Sequence, residues 1–209
     1  MEKIWLWLKA GDQWLFVYIN SFWTNNFFDF LIPLWRESIT WVPVYLFLLL
    51  FVVFNFGWKA FPWACLFIIT VSLCDQVSSN FVKEWVARPR PCRDPYFSQY
   101  VRLLLNRCPV SGSFTSSHAT NHFGMSVFIA LTFKQFIGKW KYLLYFWAAT
   151  IAYGQVYVGV HYPFDVIGGG ILGALIAWVS ASFYIRHFGL LTPRRITKQD
   201  NLRMEVTKE

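Results

Sequence analysis

The chain has 209 residues, of which 56% are hydrophobic, 21% aromatic and only 14% charged, with a mean hydropathy of +0.38. That much apolar surface excludes an ordinary soluble domain and points to a one-domain, multi-pass membrane protein. Lys and Arg outnumber Asp and Glu by 19 to 11, a net charge of +8, but the excess sits in short loops. That arrangement suits positive-inside topology and anionic lipid better than a nucleic-acid-binding face.

The first apolar run is broken by Lys9, Asp12, Asn20, Asn25, Asn26 and Asp29, and no small-x-small site follows it. A cleavable signal peptide is therefore not expected. Residues 12–34 read as an amphipathic helix in the membrane interface, with a true span as the alternative, inside an N-terminal unit of residues 1–36. An almost unbroken apolar run from Ser38 to Trp58 is long enough to cross a bilayer and ends in the interfacial anchor Trp58-Lys59. The next span, Phe61 to Phe81, closes on the polar stretch Asp75 to Asn80. A carboxylate is costly there, so Asp75 either supports Lys83, about two turns further on, or serves as a polar packing group.

The segment from Lys83 to Ser113 is rich in Pro and Arg and longer than a bundle needs to join two helices. Ser116 or Ser117 then caps a span from His118 to Ile137, followed by spans at Tyr142–Val160 and Phe164–Tyr184. Gly168, Gly169, Gly170 and Gly173 in the last span allow close helix packing. The expected fold is an all-α integral-membrane six-helix bundle, with about five transmembrane helices plus the N-terminal helix. Its core would be residues 37–186 with an outer loop at 83–117, and residues 187–209 would form a polar cytoplasmic tail.

Counting sides puts Lys83, His118, His161 and Asp165 on one face of the membrane. Lys59, Lys134, Lys139, Lys141, Arg186, Arg194, Arg195 and Lys198 fall on the other, which the positive-inside rule makes cytoplasmic. On the outer side, Cys92 and Cys108 either form a disulfide, worth about 3 kcal/mol by loop-closure entropy, or remain two thiols. Cys65 and Cys74 read as core residues.

The chemistry gathers on the outward face. Lys83 and Arg90 bring fixed cations, with Arg88, Arg93, Arg102 and Arg107 nearby. Ser116 and Ser117 open a helix whose free amides favour an anion. His118 follows at once, and His161 with Asp165 arrives from the other side of the sequence. Cations and amides would neutralise phosphate oxygens while one imidazole attacks and the other protonates the leaving oxygen. No cluster of carboxylates offers itself to magnesium, so a route without metal or cofactor, through a phosphohistidine, is the expectation. His122 lies one turn after His118, but without a third ligand it reads as a buried hydrogen-bonding residue.

Lys83-x6-Arg90-Pro91, then Phe114-Thr-Ser-Ser-His-Ala119, then His161-x3-Asp165 together resemble the three-part motif of the type 2 phosphatidic acid phosphatase family. That family of membrane lipid phosphatases shares its site with vanadium haloperoxidases. The resemblance implies that His161 is the nucleophile, Asp165 its orienting partner and His118 the general acid. It also implies that Lys83, Arg90, Ser116 and the backbone at Ser117 grip the phosphate. Two departures stand out. Thr115-Ser116-Ser117-His118 replaces Pro-Ser-Gly-His, and Gly154-Gln155 occupies the places of Ser-Arg. Gln155 can donate hydrogen bonds to phosphate but carries no charge. Arg102 or Arg107 is expected to supply the missing cation.

The expected function is hydrolysis of a lipid phosphate monoester or diphosphate at the outer leaflet, in the manner of a polyprenyl diphosphate, phosphatidylglycerol phosphate or lipid A phosphatase. The setting would be a bacterial inner membrane with the site facing the periplasm; the absence of any Asn-x-Ser/Thr sequon also leans toward a bacterial chain. The alternative is a catalytically weakened protein that binds or moves anionic lipids.

Overall fold

The structure, a computed structural model, describes residues 2–190. These are helical, with no strand among the described residues. The tail expected from residue 187 lies outside them from residue 191 onward, Arg194, Arg195 and Lys198 included.

The N-terminal segment forms two helices instead of the single one expected over 12–34. Helix α1 (Glu2–Val17) runs on through wider π-type turns to Phe22, and α2 spans Asn26–Trp35. Asn25 makes the break: it sits in extended backbone, and its side chain caps α2 by accepting from the Phe28 amide at 2.9 Å. The polar residues that interrupt this segment turn inward and bond the rest of the protein. Asn20 Nδ2 donates to the carbonyls of Arg102 (2.8 Å) and Tyr157 (2.7 Å). Asp29 accepts from Arg102 and from the Tyr157 hydroxyl, each at 2.6 Å. Phe16, Ile19 and Ile32 pack with Val156, Val158 and Tyr162 beneath them. A buried polar atom needs a partner, and here the partners fasten the N-terminal segment to the site end of the molecule.

Helices α3 (Val42–Phe56) and α4 (Ala60–Gln76) form a hairpin that turns at Gly57, whose φ of 60° suits glycine. Their far ends meet the same helix: Tyr45 reaches His122, and Asp75 accepts from Asn121. After more π-type turns α4 leads into α5 (Lys83–Val86). Then come α6 (Ser117–Thr132), the short α7 (Lys134–Ile137), α8 (Lys141–Tyr157) and α9 (Pro163–Phe188).

Two stretches are long and apolar enough to cross a membrane, Ser38–Val86, which contains the hairpin, and Pro163–Phe188. Helices α6 and α8, of 16 and 17 residues, fall outside those two stretches, so only part of the five expected spans is matched among the described residues. Protein surrounds α6, and its buried residues include Thr120, His122, Gly124 and Ser126. A helix so enclosed has no need to be apolar all round. Its tightest neighbour is α9, where a Cβ on Gly173 would run into the Thr120 carbonyl. Outside, large apolar side chains such as Phe47, Phe54, Phe61 and Phe146 are well exposed, as a lipid-facing surface requires.

The two ends of the bundle differ in character. At one end Phe56, Trp63, Phe128, Phe133 and Tyr184 form an apolar core. Beside it Lys59 donates to the Leu190 carbonyl, Lys134 and Lys141 open α7 and α8, and Lys139 lies in the turn between them. The chemistry-bearing residues gather at the other end.

Candidate active site

Arg90 is the most firmly held cation of the site. Its Nε and Nη2 donate to the Ser111 carbonyl (2.8 Å) and hydroxyl (3.1 Å), and its Nη1 to the Val160 carbonyl (3.1 Å). The same Nη1 lies 3.0 Å from His161 Nε2. A guanidinium has no acceptor, so His161 Nε2 must accept, which leaves the ring proton on Nδ1. Nδ1 faces Asp165 Oδ2 at 3.6 Å, longer than a hydrogen bond, and otherwise has no partner. His161 is buried; burial is the main cause that pushes its pKa down to about 4, with Asp165 opposing and Arg90 and Lys83 adding to the fall. The imidazole is thus neutral near pH 7 with its lone pair on Nε2. Arg90 is lowered to about 10, first by burial, with Asp165 opposing and Arg36 and Arg93 contributing, and it stays charged at neutral pH.

Helix α9 starts with Asp165 in its first turn. Asp165 Oδ2 accepts from the Tyr162 amide at 2.8 Å, and Oδ1 takes Arg88 Nη1 at 2.7 Å. Arg88 Nη2 goes on to Asp12 Oδ2 at 2.6 Å, while Asp12 Oδ1 accepts from the Phe164 amide at 2.8 Å. Burial raises the Asp12 pKa against the pull of Arg88. Arg88 also lies over the Tyr162 ring, 4.1 Å from its centroid. The result is a chain His161–Asp165–Arg88–Asp12 in which Arg88 is committed to carboxylates.

Helix α6 supplies the third wall. Ser116 is its N-cap, with Oγ accepting from the Ala119 amide and its own amide donating to the Asp165 carbonyl at 3.0 Å. The Ser116 side chain therefore serves the helix start, and it is the Ser117 hydroxyl that meets Lys83 Nζ at 2.6 Å and Ser79 Oγ at 2.8 Å. Ser79 leads back to Asp75 at 3.4 Å, so Asp75 reaches Lys83 through two hydroxyls. His118 follows Ser117, within the field of the Arg36 and Lys83 cations. His122 is fully engaged, Nδ1 with the His118 carbonyl (2.8 Å) and Nε2 with the Tyr45 hydroxyl (3.1 Å). A cavity of about 600 Å³ opens onto Lys83, Arg90, Ser79 and Ser111. Cys92 and Cys108 form a disulfide that ties the segment carrying Arg90 to the one carrying Ser111.

The expected compensating cations lie elsewhere. Arg102 is drawn to the N-terminal segment by Asp29 and the Asn20 carbonyl, and Arg107 is exposed on the outer loop. The cation on Gln155 is Arg36, whose Nε donates to Gln155 Oε1 at 3.1 Å. Sequence reasoning missed Arg36, Asp12, Ser79 and Ser111. The only trace of Asp12 was a carboxylate in an apolar run, and nothing local marked Arg36.

The arrangement offers a neutral imidazole held by Arg90, a cation that also lines the cavity, and a lysine of the same cavity joined to the α6 N-terminus just before a second imidazole; such a combination is able to bind and transfer a phosphoryl group. Comparison with known proteins agrees. The chain is 28% identical over 183 residues to a lipid A 4'-phosphatase of Bacteroides thetaiotaomicron, covering 86% of this chain and 79% of that one. It is 29% identical to phosphatidylglycerophosphatase B of Bacillus subtilis over 58% of each chain. Among solved structures, a transmembrane PAP2 type phosphatidylglycerolphosphate phosphatase from Bacillus subtilis shares the fold. The TM-score is 0.63 at 22% identity, over 86% of this chain and 87% of the other. Residues 61–188 match the PAP2 superfamily, a stretch that holds Lys83, Arg90, His118, His161 and Asp165, and the chain belongs to that superfamily.

Proposed function

We propose that the protein is an integral-membrane lipid phosphatase that hydrolyses a phosphate monoester or diphosphate at the outer leaflet through a phosphohistidine. The observation that carries this reading is the Arg90 contact to His161 Nε2, which holds a neutral nucleophile beside the cations a phosphate needs. An incoming phosphate draws Arg90 and Lys83 to its oxygens and frees the Nε2 lone pair. Nε2 bonds to phosphorus as the phosphorus–oxygen bond to the lipid breaks, and His118, which takes up a proton once the phosphate's negative charge binds beside it, gives that proton to the departing oxygen. Water then attacks phosphorus, His118 takes its proton, and the nitrogen–phosphorus bond breaks to release phosphate. Asp165, positioned by Arg88 and the Tyr162 amide, steadies the charge that grows on the His161 ring.

A lipid substrate is supported by an apolar groove of about 510 Å³ lined by Trp41, Tyr45, Met125, Leu144 and Trp147. Tyr45 and Trp147 both touch His122, one turn from His118, so the groove leads away from the site along the bundle. The basic loops at the opposite end support a cytoplasmic location for that end and a periplasmic site in a bacterial inner membrane. A phosphorylated lipid anchor of the lipid A type is the first substrate to try, ahead of phosphatidylglycerol phosphate and polyprenyl diphosphate. The test is phosphate release from these lipids by purified protein in detergent with EDTA. Wild-type turnover and loss of at least about a thousandfold in His161→Ala are expected; full activity in that variant would end the proposal.

A further inference from the structure

Arg36 follows α2, more than forty residues before the first of the residues singled out from the sequence. Its side chain is only 7% exposed, and its carboxylate partner, Glu37 at 2.7 Å, is itself 46% exposed. Burial lowers its pKa, and Glu37 offsets this only in part. A guanidinium removed from water without a buried counter-ion is unstable unless an anion joins it. Glu37 is the only carboxylate whose charge bears on Arg36 among the described residues, and the buried carboxylates Asp12 and Asp165 are paired with Arg88.

Gln155 makes the same point from another direction. Arg36 Nε can only donate, so the amide oxygen of Gln155 faces it and Nε2 is the half of the amide turned away. That Nε2 is fully buried and has no acceptor. An orphaned donor next to an under-compensated cation calls for a ligand with oxygen acceptors and negative charge. The place is right for phosphate, because the Gln155 carbonyl accepts from the His161 amide at 3.3 Å and the charge of Arg36 bears on Arg90. Gly154 completes the fit: a Cβ there would meet Ile32 Cγ2 at 3.2 Å and Arg36 Cβ at 3.3 Å. Glycine at 154 gives α2 room to bring Arg36 in, and glutamine at 155 holds it. Both departures of this stretch from the Ser-Arg pattern thus serve one cation that arrives from outside it.

We propose that Arg36, held by Gln155 and admitted by Gly154, is a substrate-binding residue of this site that grips an oxygen of the transferring phosphate. Arg36 and Gln155 together supply the charge that a single arginine at 155 would bring. This rests on the phosphatase reading for its kinetic consequences, but the anion site can be tested separately.

Three variants decide it: Arg36→Gln, Gln155→Arg, and the exchange Arg36→Gln/Gln155→Arg. Each is measured in detergent for kcat/KM on the best lipid phosphate and for the rise in unfolding temperature caused by inorganic phosphate. Arg36→Gln is expected to lower kcat/KM by about 10²–10³ and to remove most of the phosphate-induced rise. Gln155→Arg sets two guanidiniums together and also falls, whereas the exchange recovers to within about tenfold of wild type. Arg36→Gln within threefold of wild type in kcat/KM, with the phosphate effect intact, overturns the proposal. If Arg36→Gln does not fold, the exchange still returns the charge at 155, and an exchange that folds but neither turns over nor responds to phosphate overturns it too. Should wild type release phosphate from no lipid, the phosphatase reading falls, while a phosphate response lost in Arg36→Gln still supports the anion site.

Discussion

Replacing Arg88 by Met would strip the single counter-ion from two carboxylates, Asp12 and Asp165, whose side chains are both 0% exposed. Breaking a buried pair by deleting one partner costs about 3–5 kcal/mol, because the orphaned charge stays in a poor solvent. The Arg88 side chain is 23% exposed, so water can soften the loss, and we place the expected cost near the lower figure, about 3 kcal/mol. For a chain of this size that corresponds to a fall of roughly 6–12 °C in unfolding temperature. Intrinsic fluorescence of the 12 Trp residues in detergent will follow it. Adding Asp12→Asn to Arg88→Met removes one of the two orphaned charges, so the double variant should recover part of the loss instead of adding to it. Activity should stay low in both, since Asp165 has lost the group that holds Oδ1. A drop of less than about 1 kcal/mol in Arg88→Met, or strict additivity with Asp12→Asn, would refute the idea that these carboxylates depend on Arg88.

Gly173→Ala forces a methyl against the Thr120 carbonyl where α9 crosses α6, with a helix backbone on either side that cannot yield cheaply. We expect destabilisation at or above the upper end of the roughly 1–3 kcal/mol typical of overpacking, read as unfolding temperature; a variant within 0.5 kcal/mol of wild type would contradict the close crossing. His161 is buried with a folded pKa of about 4, against roughly 6.5 when unfolded. Between those values the unfolded chain binds a proton that the native protein does not, so stability falls as pH drops from about 6.5 and levels off below about 4. Comparing unfolding temperatures of wild type and His161→Asn across that window isolates this contribution. Parallel profiles would argue against a neutral buried imidazole.

Much of this site could be read from the chain because its parts are local. His161 and Asp165 stand one helical turn apart across Pro163, and Ser116, Ser117 and His118 follow one another at a helix start. Spacing of that kind survives any arrangement of the other helices, and so does the inference that apolar runs must be buried in protein or lipid. The reading failed where partners lie far apart in sequence. Asp12 and Arg88 are 76 residues apart, and Arg36 and Gln155 are 119 apart. The outer-loop arginines were spare cations on the same expected side of the membrane, yet Asp29 and the Asn20 carbonyl engage Arg102.

By itself the sequence determined that the protein is helical and apolar, and that two histidines, a lysine, an arginine and a carboxylate lie at or near helix ends. Periodicity, helix capping and charge at fixed short spacing carry that much, because they act within a few residues of chain. The tertiary structure alone decided which cation stands beside Gln155 and which acid balances Arg88. It also decided that the N-terminal segment closes over the site instead of lying apart from it. Those choices come from side-chain volume and unsatisfied hydrogen bonds meeting across packed helices. No local pattern encodes such meetings, since each depends on how several distant segments come together at once.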